Sequence, residues 1–379
     1  MRLGLDATPM LEQTSGVPRY CRELVGALTR LPGADRPDLT LVAFSWRGVL
    51  PAMPGARVAS RRLPARLLMA AWQYGRWPPV ELLSGPCDVF HGTNFLSPPT
   101  WRAASVVTVH DLAFLTHPGT VRARSRAHAT LLPRALLRRR TVVVTPSQAV
   151  RSDVIERLGV PADRVVATPL GVDAERWAGT QADPATLTRL GIDDGHAAGA
   201  RRRGRPYLVF VGTAEPRKNL VTLLAAHRLA RARNPDSLDL VIVGGVGWGG
   251  GTSTGDDDGE GVARLGRLDE ADLRTVVAGS AALVLPSLAE GFGLPILEAS
   301  AAGRRVMASD LPVLREVAPP DAVFVPALDV DAWASAIAHL PDEHPHSSAA
   351  AARRAHAARF TWQECALATV RAYRLAAQL

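Results

Sequence analysis

Short runs of apolar, mostly β-branched residues alternate along this chain with longer stretches whose apolar positions recur at helical spacing. In the first half the runs Arg2–Leu5, Leu39–Phe44, Val89–Phe90, Val106–Val109, Thr141–Val144 and Val165–Ala167 are bounded by turn residues and read as strands. The pattern restarts at Tyr207–Val211 and continues through Leu240–Val243, a weaker Val262–Leu265, Ala282–Leu285, Arg305–Met307 and Ala322–Val325. Strand and helix signals in alternation predict an α/β protein with parallel, doubly wound sheets. From residue 178 to 205 the sequence is small, polar and basic with little strand signal, so it reads as a boundary or inserted loop. The expected organisation is an N-terminal Rossmann-like domain over residues 1–175 and a linker over 176–205. A second Rossmann-like domain over 206–360 follows, with a C-terminal helix over 361–379 packing back on the first domain. Ligands of open parallel sheets sit at the carboxyl ends of the strands, so two such domains are expected to hold theirs in the cleft between them.

Length and composition narrow the class. A chain of 379 residues is too long for one ordinary core. With 47% hydrophobic and 21% charged residues it reads as a soluble globular protein. No window approaches the ~18 consecutive apolar residues of a membrane span. The opening MRLGLDATPM is broken by Asp6 and lacks a small-residue cleavage site, so the expectation is a cytoplasmic protein. Cys21, Cys87 and Cys365 show no C-x-x-C spacing and suggest buried thiols rather than a disulfide framework or zinc site.

Charge changes the picture more. Residues 1–175 hold 22 Arg against 13 Asp plus Glu, whereas the remainder is nearly balanced, so the formal +8 belongs to the first half. The excess concentrates in Arg61–Trp72 and Arg122–Arg140, where arginines lie among Leu, Met and Trp. Such segments suit either a helix on an anionic membrane or arginine-rich helices covering the domain. No nucleic-acid recognition motif accompanies them. Among the 44 Lys plus Arg there is one lysine, Lys218, within AEPRKNL just after the strand Tyr207–Val211.

The densest chemistry follows Ala282–Leu285: PSLAEGFGLPILEA, residues 286–299. A strand, a glycine-bearing turn and a helix with Pro295 near its start turn free backbone N–H groups and the positive end of a helix dipole toward an anion. Glu290 before the turn and Glu298 about a helical turn into the helix are suited to accept hydrogen bonds from polyol hydroxyls. An anion site between two polyol-binding carboxylates describes a nucleotide-sugar: ribose, diphosphate, hexose.

These residues resemble the E-x7-E signature of the family 4 retaining glycosyltransferases, which have the GT-B fold of two facing Rossmann-like domains. The resemblance runs along nearly the whole chain. Thr14–Tyr20 (TSGVPRY) is similar to the family's N-terminal glycine loop and Val109–Leu112 (VHDL) to its His-Asp segment. Thr145-Pro146-Ser147 resembles its S-x-x strand end, and Pro169–Asp173 (PLGVD) its turn before the linker. Gly212–Leu220 resembles its first C-terminal loop, and Leu265–Leu268 (LGRL) its base-contacting segment. The resemblance implies that Glu298 bonds the ribose and Glu290 holds the donor sugar, with the backbone of Gly291, Phe292, Gly293 and Leu294 under hexose and diphosphate. It further implies that Lys218 and Arg217 stabilise the leaving diphosphate and that His110 lies against the reacting sugar. Gly16 then admits the N-terminal loop to phosphate or acceptor, Gly212 and Thr213 line the donor, and Arg267 and Leu268 meet the base. Many members carry arginine where this chain has Thr213, which places phosphate neutralisation more heavily on Arg217 and Lys218.

Two features mislead. Gly245–Gly250 fits G-x-G-x-x-G after a strand, but the Gly, Ser, Thr and Asp residues that follow cannot open a helix, so a mobile glycine-rich loop is expected. Asp256-Asp257-Asp258 imitates a metal site and reads instead as a solvated acidic loop, the resemblance implying metal-independent transfer without a cofactor. The expected function is transfer of a hexose, with mannose from GDP-mannose as best single choice, to a glycan or lipid-linked acceptor in surface polysaccharide or glycolipid synthesis. The expected location is cytoplasmic or peripheral on the inner membrane face. A sugar-nucleotide epimerase or hydrolase on the same scaffold, or a non-catalytic glycan-assembly subunit, are the alternatives.

Overall fold

The computed structural model describes residues 1–12, 16–46, 48–61, 65–74, 77–121, 132, 136, 140–192, 206–248, 259–341, 343–344 and 346–379. The chain forms two compact units, Met1–Gly171 with Thr361–Leu379, and Val172–Phe360.

In the first unit the elements are β1 (Arg2–Asp6), α1 (Gly16–Arg30), β2 (Asp38–Phe44), β3 (Ala56–Arg61), α2 (Ala65–Tyr74), α3 (Glu81–Ser84) and β4 (Val89–Gly92). They are followed by β5 (Ala104–Thr108), α4 (Ala113–Thr116), β6 (Thr141–Thr145), α5 (Gln148–Leu158) and β7 (Val165–Ala167). The sheet order is β3-β2-β1-β4-β5-β6-β7, every pair parallel. Strand order reverses between β1 and β4, where Leu3 pairs with both Leu39 and Val89. Central strands such as Thr141–Thr145 are buried at every position, as a parallel sheet covered on both faces requires. Ser147 caps α5 by accepting from the Val150 amide, and Gly159 ends it in the left-handed conformation.

The second unit contains α6 (Ala174–Ala178), α7 (Pro184–Arg189), β8 (Tyr207–Val211), α8 (Leu220–Arg233), β9 (Asp239–Val243), β10 (Val262–Gly266) and α9 (Glu270–Gly279). It continues with β11 (Ala282–Leu285), α10 (Leu294–Ala301), β12 (Arg305–Ser309), α11 (Pro312–Val317), β13 (Val323–Val325), α12 (Val330–Ala338) and α13 (Ser348–Ala357). Its parallel order, β10-β9-β8-β11-β12-β13, reverses between β8 and β11. Helices α8 and α12 cover one face around Leu223, Trp333 and Ile337.

The C-terminal helix α14 (Trp362–Gln378) belongs to the first unit and packs on α1 and the strands beside it. Gly171 lies so close to it that an added Cβ would stand 2.1 Å from the Trp362 nitrogen. Any side chain there would force the two backbones apart.

The structure adds two elements to the sequence reading. β3 is a half-exposed edge strand, ARVASR, with too few apolar residues to announce itself. Helix α7 falls inside the stretch read as loop; Asp183 caps it and Pro184 starts it, a signal outweighed by the surrounding small and basic residues. Most of Arg122–Arg140 and part of Arg61–Trp72 lie outside the described residues, as do residues 193–205.

Candidate functional site

The two loops that carry the predicted donor residues follow β8 and β11, the neighbouring strands at which the order reverses. After β8 the chain passes Gly212, Thr213 and Glu215 into a single 3-10 turn, Pro216–Lys218, and then Asn219 in the left-handed conformation at φ 53°. Asn219 holds this loop in place. Its Nδ2 donates to the carbonyls of Pro286 at 3.0 Å and Ala327 at 2.7 Å, while its Oδ1 accepts from Thr222 at 2.8 Å. The Leu288 amide donates to the Arg217 carbonyl at 2.8 Å, so the β8 and β11 loops are joined by main chain as well.

At their junction Glu290 is surrounded by donors. Lys218 Nζ lies 2.6 Å and Ser287 Oγ 2.7 Å from its Oε1, and Arg217 Nη1 lies 3.3 Å from its Oε2 while also reaching the Ala289 carbonyl at 2.9 Å. Glu215 stands farther from Arg217, at 3.9 Å. Burial opposes ionisation of Glu290 more than any other single influence, but Lys218, Arg217 and the hydrogen bonds from Lys218 and Ser287 together bring its carboxyl down to about 2. Glu290 is therefore a fixed anion at any working pH and has no proton to give or take.

Glu298 is buried in the second turn of α10. That helix begins at Gly293, φ 96°, with Pro295 in its first turn and no side chain capping its amides. The left-handed conformation demands glycine at position 293, and the space is tight as well, since a Cβ there would meet Leu314 Cδ2 at 3.0 Å. Phe292 is buried, its ring 6.2 Å from that of Phe360. Uncapped amides at a helix start, next to two cations sharing a carboxylate, form a surface complementary to a phosphate group.

The glycine-rich segment after β9 is a loop in its described part, Gly244–Trp248, and that part packs as the floor of the β8 loop. Ala214 donates to the Gly245 carbonyl at 3.1 Å and Gly244 to the Gly266 carbonyl at 2.7 Å. Added Cβ atoms at Gly244 and Gly247 would stand 1.9 Å and 1.6 Å from the carbonyl oxygens of Gly212 and Ala214. Close backbone approach, not a dinucleotide, is what these glycines serve. A Cβ at Gly245 would come within 2.9 Å of Arg267 Nε, which places the exposed Arg267 over this floor, with the half-buried Leu268 next in sequence. Residues 249–258, including Asp256–Asp258, lie outside the described residues.

In the first unit His110 stands at the end of β5. Its Nε2 donates to the Thr93 carbonyl at 2.8 Å, and its ring meets Tyr20 edge-on at 5.1 Å and Phe95 at 5.8 Å. Burial lowers its pKa, so the imidazole is neutral with Nδ1 left as an acceptor. Gly16 opens α1, and a side chain there would meet nothing within 4 Å, so packing makes no demand for glycine at that position. Thr14 and Ser15 lie outside the described residues.

Sequence reasoning missed Asn219 and Ser287, although both flank the charged residues in the quoted motifs. It also missed Asp6, noted only as a break in an apolar run. Asp6 ends β1 beside Thr93, whose hydroxyl donates to the Asp6 carbonyl at 2.6 Å, and burial raises its carboxyl to about 6.

The chain is similar to known glycosyltransferases. A family model described as glycosyltransferase family 4 matches residues 14–176, and one described as glycosyl transferases group 1 matches residues 205–343. O-antigen chain mannosyltransferase B of Escherichia coli is 31% identical over 304 residues, spanning 76% of this chain and 74% of that protein. Phosphatidyl-myo-inositol mannosyltransferase of Mycolicibacterium smegmatis is 35% identical over 181 residues, 46% of each chain. Among solved structures, sucrose-phosphate synthase from Thermosynechococcus elongatus shares the fold with a TM-score of 0.70 at 19% identity, covering 98% of both chains.

Proposed function

The chain belongs to the family 4 glycosyltransferases, and from that premise we propose that it moves mannose from GDP-mannose, with retention and without a metal ion, to a glycan or lipid-linked acceptor of surface polysaccharide or glycolipid assembly. The observation that carries this reading is Glu290 clasped by Lys218, Arg217 and Ser287 beside the uncapped start of α10. Mannose is favoured by the name of the Escherichia coli relative.

In this reading the diphosphate lies against Lys218, Arg217 and the amides at the start of α10, over the backbone from Gly291 to Leu294. As the glycosidic bond breaks, negative charge grows on the departing diphosphate. Cations already fixed by Glu290, which Ser287 in turn holds, stabilise that charge without having to reorganise. Glu290 keeps acceptor capacity for a sugar hydroxyl, Glu298 takes the ribose hydroxyls, and Gly212, Thr213, Arg267 and Leu268 bound the nucleoside. Glu290 is permanently ionised and His110 is neutral, so neither is assigned as a general acid; the leaving diphosphate accepts the acceptor's proton. His110 is assigned to the reacting sugar, which its Nδ1 receives as a hydrogen-bond acceptor.

Calorimetry with UDP-, GDP- and ADP-sugars is the test, since a ligand stabilises the state that it binds. GDP-mannose should bind, turn over with its anomeric configuration kept, and do so in the presence of a chelator. Failure of every nucleotide-sugar to bind would sink the reading, and an inverted product would remove retention. Among the described residues no helix is long and apolar enough to cross a membrane. A lipid-linked acceptor would bring the arginine-rich first unit to an anionic surface, and cosedimentation with phosphatidylglycerol vesicles checks that part.

A further inference from the structure

Beneath His110 lies a chain of polar groups that the proposed chemistry does not use. Tyr373 on α14, His91 on β4, Thr108 on β5 and Tyr20 on α1 are all almost fully buried. The Tyr373 hydroxyl is 2.7 Å from His91 Nδ1, His91 Nε2 is 2.7 Å from Thr108 Oγ1, and Thr108 Oγ1 is 3.1 Å from the Tyr20 hydroxyl. Tyr373 and His91 are 282 positions apart in sequence, so the C-terminal helix has to dock before the chain of bonds closes.

The donor count fits a neutral chain. Three hydroxyls and one imidazole N–H supply four hydrogens for three bonds, and both nitrogens of His91 are engaged. Burial, helped by the nearby His110, drives His91 down to about 3, and burial keeps both tyrosines protonated. No member carries charge at a working pH. A network of this kind is therefore poorly suited to moving protons to substrate and well suited to fixing positions.

What it fixes is Tyr20. Two rings flank His110; the Phe95 ring is held by packing and by its own backbone amide, which donates to the Thr108 carbonyl at 2.9 Å, whereas the Tyr20 ring is tied at its hydroxyl to the Thr108 side chain. The Tyr20 and His110 rings meet at 83°, an edge-to-face contact in which rotation of one ring displaces the other. We propose that Tyr373, His91 and Thr108 act as one buried unit that positions Tyr20 and, through it, the imidazole of His110 for transfer. This rests on the assignment of His110 to the reacting sugar.

The test uses the full-length protein. Thr108→Val keeps the side-chain shape without the hydroxyl, Thr108→Ser keeps the hydroxyl, and Tyr373→Phe breaks the far end should Thr108→Val fail to fold. Thr108→Val and Tyr373→Phe should each lower kcat about tenfold, a loss in the range expected from small misplacement of a reacting group. Donor KM should stay unchanged, and Thr108→Ser should restore kcat. In parallel, the nitrogen and Nε2-proton resonances of His110 should move in the first two variants and return in Thr108→Ser. A merely structural role would leave the His110 signals in place. Unmoved His110 signals in folded Thr108→Val and Tyr373→Phe overturn the proposal, as does full kcat in both. His110→Ala at full turnover would instead remove the assignment of His110 and with it the proposed role in transfer, whereas a donor that still binds to such a variant leaves the donor-site reading standing.

Discussion

In both Rossmann-like units the candidate side chains gather on and around the strands near the reversal of strand order, but with opposite chemistry. In Val172–Phe360 the groups are charged, partly accessible and tied by ion pairs: Lys218, Arg217 and Glu290 keep side-chain exposures of 14%, 18% and 7%. In the first unit the corresponding groups, His91, Thr108 and Tyr20, are neutral, sealed and tied by hydroxyl and imidazole hydrogen bonds. The difference follows from what each can be used for. A charge meant for a charged ligand has to stay near solvent and be held by a partner until the ligand arrives, because burying it alone costs too much. A neutral network can be buried completely, and then serves only to fix geometry.

The widest gap between the two should appear on removing the central charge. Glu290→Gln keeps the shape of the side chain but frees Lys218 and Arg217 from the anion that orients them. Turnover at saturating donor should fall ~10²–10³-fold, the scale seen when one preorganised electrostatic group is lost. That is more than the loss expected from breaking the neutral network beneath His110. Steady-state kinetics on folded protein decide it: a Glu290→Gln enzyme with more than a tenth of normal turnover would erase the contrast.

The same contrast explains what could be read from the chain alone. Lys218, Arg217 and Glu290 could be picked out because they cluster in two loops directly after strong strands, where charged residues have few structural reasons to exist, and Glu298 because it follows in the helix that the second loop opens. The strands themselves were legible because buried parallel strands are continuous apolar runs, and β3 was lost because an edge strand is not. His91, Thr108, Tyr20 and Tyr373 carry no such signal. Each sits in an apolar surrounding and resembles ordinary core, and its partners lie on other elements, so only the folded chain brings them together. The packing demand at Gly244 and Gly247 was invisible for a related reason: it comes from the carbonyls of Gly212 and Ala214, on the loop after the neighbouring strand.

A smaller effect sharpens the charged side of the comparison. Lys218 is the one lysine among 44 basic side chains other than histidine. Its stem runs alongside Gly212, with Cε 3.7 Å from where a Cβ would stand, and ends in a compact ammonium 2.6 Å from Glu290. Arginine, with a shorter aliphatic stem but a larger planar guanidinium and a longer overall reach, would overreach that oxygen and crowd Arg217. Lys218→Arg should therefore fold normally, with an unchanged melting temperature, while kcat drops about tenfold. Full activity in that variant would mean that charge alone, and not its placement, is required.

The smallest expected effect lies on the neutral side and is read from stability against pH. Burial brings His91 down to about 3 in the folded protein, against 6.5 for the unperturbed side chain. Between those values the unfolded state takes up a proton that the folded state refuses, so the contribution of His91 is complete above pH 6.5 and is lost as pH falls through this window. Asp6 works against it: burial raises its carboxyl from 3.8 to about 6, so the folded state binds that proton first and gains relative stability as pH drops from 6 toward 4. The bulk acid response of the first unit therefore mixes opposed titrations, with His110, lowered by burial, on the same side as His91. Comparison with His91→Gln separates them, because Asp6 and His110 are common to both proteins. The stability of the normal protein relative to the variant should shrink by up to ~1.4 kcal/mol per pH unit below 6.5, or a few degrees in melting temperature. A difference that stays constant from pH 7 to 5 would mean that His91 is charged or solvated in the fold, and that the first unit is not the sealed, neutral counterpart of the second.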